Sequence, residues 1–339
     1  MAKRASSFRN ILVIHFGQLG DVVLGLPALS AIREKFAGAR ITLIVGKPAG
    51  EVTQLAAVAD EQIVVDRVQL RDGNKLRSVV KILQIFGEVR RRKFDLAIDL
   101  HSLSETNLFC FLAGIRSRLY ANRENRSLDR LCNFDPKPPM GDKTKHVAER
   151  YLDVLSPLGI DASDMSFRFS PDTAVVNFVR EKFFADRCDR RVGIFPGAGH
   201  SSRCWNLDNF TRLADKLTEK GFRPVVLLGP EENAFKQRIV NTFPQSTVVI
   251  DGLSISQFIA AASQLEVFVT NDTGPMHLAA CAGVSIVLLM DQRAPTAYLP
   301  LTDKLSVIRH KSIGLISVEE VHREVIAALT QKDKSQGAC

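Results

Sequence analysis

Two doubly wound α/β domains are predicted for this chain, on three observations. Apolar strand-like runs alternate with helical stretches from the outset. The alternation lapses around residues 161–191 and then restarts, and 339 residues exceed what one ordinary domain holds.

The first half opens on ILVIHF at 11–16, the loop GQLGD at 17–21 and a helical stretch at 22–36. ITLIVG at 41–46 then completes a strand–helix–strand unit, which implies a parallel sheet. QIVVD at 62–66 and FDLAIDL at 94–100 supply two further strands, separated by a long basic helical stretch at 76–93. After the lapse the strands are VGIFPG at 192–197, RPVVLLG at 223–229, TVVID at 247–251, LEVFVTN at 265–271 and VSIVLLM at 284–290. Helices are predicted between them at 206–220, 231–242, 254–263 and 275–282. An amphipathic helix begins at 317 and runs into a polar end. The domains are accordingly 1–170 and 171–316, followed by a terminal segment at 317–339.

The chain is 45% hydrophobic and 24% charged, which excludes a disordered protein. Its net charge of +8 is uneven: residues 1–170 hold 26 Lys and Arg against 19 Asp and Glu, and the remainder 19 against 18. A basic first domain suits a polyanionic substrate, an anionic membrane surface or nucleic acid. No recognised nucleic-acid module is visible, so nucleic acid is not an expected partner. The run Arg90–Lys93 reads equally as such a contact or as a solvated helix end.

The six cysteines form no C-x-x-C pair and no zinc-like grouping, the usage of a reducing compartment. The N-terminus lacks a long apolar segment, and no run approaches the ~20 apolar residues that span a bilayer. A cytoplasmic protein is expected, with any membrane contact peripheral.

Ligands of open α/β sheets bind beyond the carboxyl ends of the strands, so three loops matter most. GQLGDV at 17–22 departs from the G-x-G-x-x-G dinucleotide fingerprint, having two glycines and a carboxylate at its end. Asp21 taken alone reads first as a helix N-cap, and second as a general base that takes a proton from an incoming hydroxyl. FPGAGHSSRCW at 195–205 combines small residues, Gly199 among them, with Arg203, whose forked donor set suits a phosphate; it reads equally as a flexible loop with an exposed arginine. VTNDTGPMHLAA at 269–280 ends a strand, turns at Asp272, Thr273 and Gly274, and enters a helix through Pro275, with His277 in the first turn. That arrangement presents helix N–H groups to an anion.

With these loops assembled, the sequence resembles glycosyltransferase family 9, the lipopolysaccharide heptosyltransferases. The resemblance spans nearly the whole chain: LGDVVLGLPALSAIR at 19–33 and VTNDTGPMHLAACAGVSIVLLM at 269–290 carry it most specifically. IDLHSLSETNLFCFLAGIRSR at 98–118, HVAERYLDVLSPLGI at 146–160 and FPGAGHSSRCWNLDNFTRLAD at 195–215 support it. It implies a GT-B fold, two Rossmann-like domains facing across a cleft, with the last helix packing back on the N-terminal domain. It further implies an inverting, metal-independent transfer of heptose from ADP-heptose to the inner core of Gram-negative lipopolysaccharide, an anionic glycolipid at the cytoplasmic face of the inner membrane. No cofactor is implied.

By position, Asp21 matches the family's catalytic base and Arg203 a basic residue that grips the donor diphosphate. Asp272, Thr273, Gly274 and His277 match the loop that binds donor phosphate and sugar. Glu231 matches the carboxylate on the nucleotide ribose, and Leu253 an apolar wall near adenine. Arg123 matches an arginine that engages the acceptor's acidic sugar, with Arg126 as a near rival. Arg71, Lys75, Arg77 and Arg90–Lys93 are candidates for contact with acceptor or membrane. His15 stands where Lys or Arg is usual, and Gln18 where a small hydroxyl residue is frequent. Cys204 and Asn206 flank Trp205 where a basic residue and Pro are frequent. These departures leave the donor-binding scheme intact and leave room for a different acceptor. Alternatives are a family 9 transferase with another nucleotide-sugar or surface glycan, a GT-B-shaped nucleotide-sugar epimerase, and a non-catalytic binding protein.

Overall fold

A computed structural model describes residues 8–123, 127–161, 165–185 and 190–336. The chain divides into two compact units, 1–167 with 296–299, and 168–295 with 300–339.

The first unit is built on strands β1 (Asn10–His15), β2 (Arg40–Gly46), β3 (Glu61–Val65), β4 (Leu96–Asp99) and β5 (Ser117–Tyr120). Its helices are α1 (Leu19–Lys35), α2 (Lys47–Leu55), α3 (Arg67–Asp72), α4 (Lys75–Arg92), α5 (Ser104–Leu112) and α6 (Val147–Leu155). The sheet order is β3-β2-β1-β4-β5, parallel throughout. Ile11 to Ile14 and Leu96 to Ile98 are fully buried because helices cover both faces of these central strands.

The second unit carries α7 (Thr173–Phe183), β6 (Arg190–Phe195), α8 (Leu207–Glu219), β7 (Phe222–Leu227), α9 (Lys236–Thr242), β8 (Val248–Ile250) and α10 (Ile255–Ala262). It continues through β9 (Val267–Asn271), α11 (Gly274–Cys281), β10 (Ser285–Asp291), β11 (Leu305–His310) and α12 (Val318–Gln336). Its order, β11-β10-β9-β6-β7-β8, is again parallel and has the connectivity of a dinucleotide-binding fold.

Two strands exceed the sequence expectation, β5 and β11, each at a sheet edge. Val318, Val321, Val325 and Leu329 of α12 are buried in the second unit's core beside Ile194, Trp205 and Phe210.

In both sheets the strand order reverses between two central neighbours, β1 and β4 in the first and β6 and β9 in the second. Loops leaving such a pair diverge to opposite faces and leave a crevice at the strand ends, where ligands of this architecture bind.

Candidate active site

At the first sheet's switch point, β1 ends on His15 and β4 on Asp99, both fully buried. The His15 ring lies 6.0 Å from that of His101 and edge-on to Tyr151 at 4.8 Å. Gly25 makes room for it, since a Cβ there would fall 2.6 Å from Nε2. Nδ1 accepts the Gly17 N–H at 3.2 Å. Burial, reinforced by His101, pushes the His15 pKa down to about 3, so the ring is neutral near pH 7.

Burial pushes Asp99 the other way, up to about 6. Its carboxylate accepts N–H bonds from Ser102 at 2.6 Å and His101 at 3.0 Å, and the Thr106 hydroxyl donates to it as well. Ser102 makes its bond from a left-handed backbone, φ +50°, a strain of about 1–3 kcal/mol that clusters at functional sites.

Helix α1 begins at Leu19, earlier than expected, so Asp21 is its third residue and Gln18 occupies the N-cap position. Asp21 Oδ2 accepts the Gln18 N–H at 2.9 Å, which is the reciprocal arm of a capping box and not the N-cap role. Burial raises the Asp21 pKa above the ordinary aspartate value, against the Gln18 N–H and the charges of Arg150 and Arg123. A carboxylate so placed is a stronger base than a solvated one. Helix α6 supplies Arg150, whose guanidinium lies over the Tyr298 ring at 5.7 Å, and Tyr151, whose phenol pKa is raised first by burial and next by Asp21. His146 caps that helix through Nδ1, and its Nε2 meets the Leu299 carbonyl at 2.9 Å.

At the second switch point, buried Asn271 ties the two loops together. Its Oδ1 accepts the Trp205 N–H at 3.0 Å, and its Nδ2 donates to the carbonyls of Pro196 at 2.8 Å and Gly197 at 3.1 Å. Trp205 is itself anchored by Nε1–H donation to the Ile316 carbonyl at 2.9 Å. The staple brings Arg203 to 3.5 Å from Asp272, whose pKa is raised by burial and lowered in turn by that guanidinium. Thr273 is the extended N-cap of α11 and makes no side-chain cap bond. A cation and a helix N-terminus therefore adjoin, as phosphate binding requires.

The Glycosyltransferase family 9 (heptosyltransferase) model matches residues 82–324, more than two thirds of the chain. The chain belongs to glycosyltransferase family 9. It is 23% identical over 297 residues to lipopolysaccharide heptosyltransferase 3 of Escherichia coli K12, covering 84% of this chain and 83% of that protein. The crystal structure of a family 9 glycosyl transferase from Veillonella parvula superposes with a TM-score of 0.82 at 22% identity, covering 96% of this chain and 99% of that one. The E. coli heptosyltransferase WaaC with ADP-2-deoxy-2-fluoro heptose gives a TM-score of 0.75 at 16% identity, over 94% and 99% of the chains. The fold is thus shared with solved glycosyltransferases, and the chain is itself a glycosyltransferase.

Within this glycosyltransferase the structure gathers Asp21, His15, Gln18 and Arg123 at one switch point, and Arg203, Asp272, Thr273 and Gly274 at the other. His277 is buried on α11. Leu253 is half-buried in the turn ahead of α10, beside Gly252 at φ +66°. The other expected site residues differ in their surroundings. Glu231 is exposed, whereas its neighbour Glu232 is 7% exposed and folds under the loops, accepting the Gly229 N–H at 3.0 Å. A Cβ on Gly197 would collide with the Glu232 carboxylate at 1.9 Å, while one on Gly199 would meet only open space. The close approach that requires glycine is therefore at 197. Arg71 is exposed and paired with Asp72 at 2.8 Å, and Arg92 is paired with Glu61 and Glu88. Arg126 lies outside the described residues.

Sequence reasoning assigned no role to Asp99, His101, Arg150 or Tyr151. The available signal for the first was a carboxylate closing the apolar run at 94–100 beside the first strand. For the last two it was the amphipathic helix inside HVAERYLDVLSPLGI. Among the described residues no group of three His, Cys, Asp or Glu side chains converges as a metal-ligand set.

Proposed function

We propose that this enzyme transfers a heptose from ADP-heptose to an inner-core sugar of lipopolysaccharide, inverting the anomeric centre without a metal. The observation that carries the reading is the division of labour between the two switch points: a half-buried carboxylate of raised basicity at Asp21, and a cation beside a helix N-terminus at Arg203 and Thr273. The family's relatives, lipopolysaccharide heptosyltransferases by name, supply the substrate class.

In the reaction the acceptor hydroxyl gives its proton to the Asp21 carboxylate as its oxygen bonds to the anomeric carbon. The bond from that carbon to the diphosphate oxygen breaks with its electron pair, so ADP leaves and the sugar passes through an oxocarbenium-like state. Attack opposite the leaving group inverts the centre. Arg203 and the first-turn N–H groups of α11 meet the charge growing on the diphosphate, a task that falls to a metal ion elsewhere. The carboxylate directed at the ribose is Glu232 or the exposed Glu231 beside it. Arg123, near enough to bias Asp21, His15 and Asp99 electrostatically, is placed to engage an acidic acceptor sugar. The acceptor is a glycolipid at the cytoplasmic face of the inner membrane, so the enzyme works at that surface.

A transfer assay of ADP-heptose against UDP- and GDP-sugars, on lipid A–Kdo and on its heptosylated product, tests the reading. Product only with ADP-heptose and one of these acceptors is expected. Turnover with another nucleotide-sugar, or donor epimerisation without acceptor, would overturn it.

A further inference from the structure

Residues 67–93, which span α3 and α4, carry nine Lys and Arg against two acidic residues. The rest of residues 1–170 holds seventeen of each sign, so the entire basic excess of the first half lies in this one stretch.

Helix α4 meets its unit through a single seam. Ser78, Ile85 and Val89 are buried, and the latter two join the core with Phe86 packed alongside. The opposite face should be polar on a helix packed from one side only. Instead Leu76, Val80 and Leu83 recur at i, i+4 and i+7 and remain 79%, 54% and 62% exposed, with Val79 beside them at 53%. Lys75, Arg77, Lys81, Arg90 and Arg91 are exposed along the same helix, whereas Arg92 is turned to its carboxylate partners. The apolar surface continues on the neighbouring helix. Phe86 meets Phe109 of α5 edge-on at 5.7 Å, and Leu108, Phe111 and Leu112 of α5 are exposed as well.

We propose that α4, with the adjoining face of α5, docks on an anionic bilayer, its aliphatic stripe entering the interface and its flanking cations meeting lipid phosphates. An apolar face bordered by Lys and Arg is the composition of a helix that lies in a membrane surface, and basic clusters there add to the attraction. The charge selects the partner, since a second copy of this face would set two strongly basic segments against each other. The inference deepens the reading of the acceptor as a membrane glycolipid and rests on it only for its purpose, because docking is measured without donor or acceptor.

The test is flotation of the purified full chain with vesicles of phosphatidylcholine alone and with added phosphatidylglycerol, at low and high salt. Binding to the anionic vesicles, weakened by salt, is expected. The variant Lys75→Gln/Arg77→Gln/Lys81→Gln should lose about fivefold per cation removed. Leu76→Gln/Val80→Gln/Leu83→Gln should lose at least about tenfold, with thermal unfolding unchanged because all three sites are exposed. As an independent readout, Leu76→Trp should show a blue-shifted emission on anionic vesicles. Unaltered binding by the apolar triple variant, equal binding to neutral vesicles, or no shift from Leu76→Trp would each overturn the proposal. So would a dimer in solution that ignores vesicles and that the apolar triple variant turns into a monomer. Loss of docking with heptose transfer intact in detergent would sink this inference alone, and docking without any transfer would sink only the proposed activity.

Discussion

At the first switch point the side chains that converge are titratable and enclosed, whereas at the second they are a permanent cation, a helix N-terminus and a buried amide. His15 is driven neutral with a pKa of about 3, Asp99 is raised to about 6, and Asp21 is raised by burial while Arg150 and Arg123 oppose the rise. Arg203 supplies a forked cation beside Asp272, and Asn271 holds the loops in place. One switch point collects groups that can exchange a proton, and the other collects groups that suit an anion. The same strand order thus carries two sets of groups because the loop residues differ, not the scaffold.

The sharpest way to break this contrast is Asp21→Asn, which keeps an oxygen for the Gln18 N–H but abolishes the base. Turnover should fall about 10²–10⁴-fold while calorimetric ADP affinity stays unchanged. A matched loss of ADP affinity would mean that Asp21 serves the donor and that the division is false.

Asn271→Ala attacks the second site's frame. Three buried hydrogen bonds disappear. Their orphaned partners should cost about 2–4 kcal/mol in chemical denaturation, with weaker ADP binding as Arg203 and Asp272 separate. Arg203→Ala should leave stability near wild type, since that side chain is about half exposed. ADP affinity should drop roughly tenfold to a hundredfold, the worth of one charged contact. If both variants lost stability alone, the loops would be structural and the anion would bind elsewhere.

How much of this was legible in the sequence follows burial. Strands β1, β4, β6 and β9 are sandwiched by helices, so their apolar runs are unbroken, and the loops after β1, β6 and β9 were legible with them. The loop after β4 carries only the family resemblance. Strands β5 and β11 lie at sheet edges and carry Arg118 and Arg309, which leaves no such run to read. Glu231 and Glu232 are indistinguishable by composition. Only the turn at Gly229 decides that the second folds inward, against Gly197. Arg150 and Tyr151 lie more than a hundred residues from Asp21 in sequence, and the packing of α6 on α1 brings them to it. Long-range convergence of that kind has no local signature.

The smallest expected effect is also the most discriminating. Asp21 accepts a proton only when ionised, so the rate should fall as pH drops through its raised pKa, an acid limb above the ordinary aspartate range. Arg150 favours the charged carboxylate and holds that pKa below what burial alone would set. Replacing it in Arg150→Gln must therefore raise the pKa further and move the acid limb of kcat/KM to higher pH, whereas Arg150→Lys, which keeps the charge, should return it. Arg203→Ala should leave the limb where it stands, because the cation it removes neighbours Asp272 and no proton passes there. A limb that ignored Arg150, or that followed Arg203, would place the proton transfer at the wrong switch point.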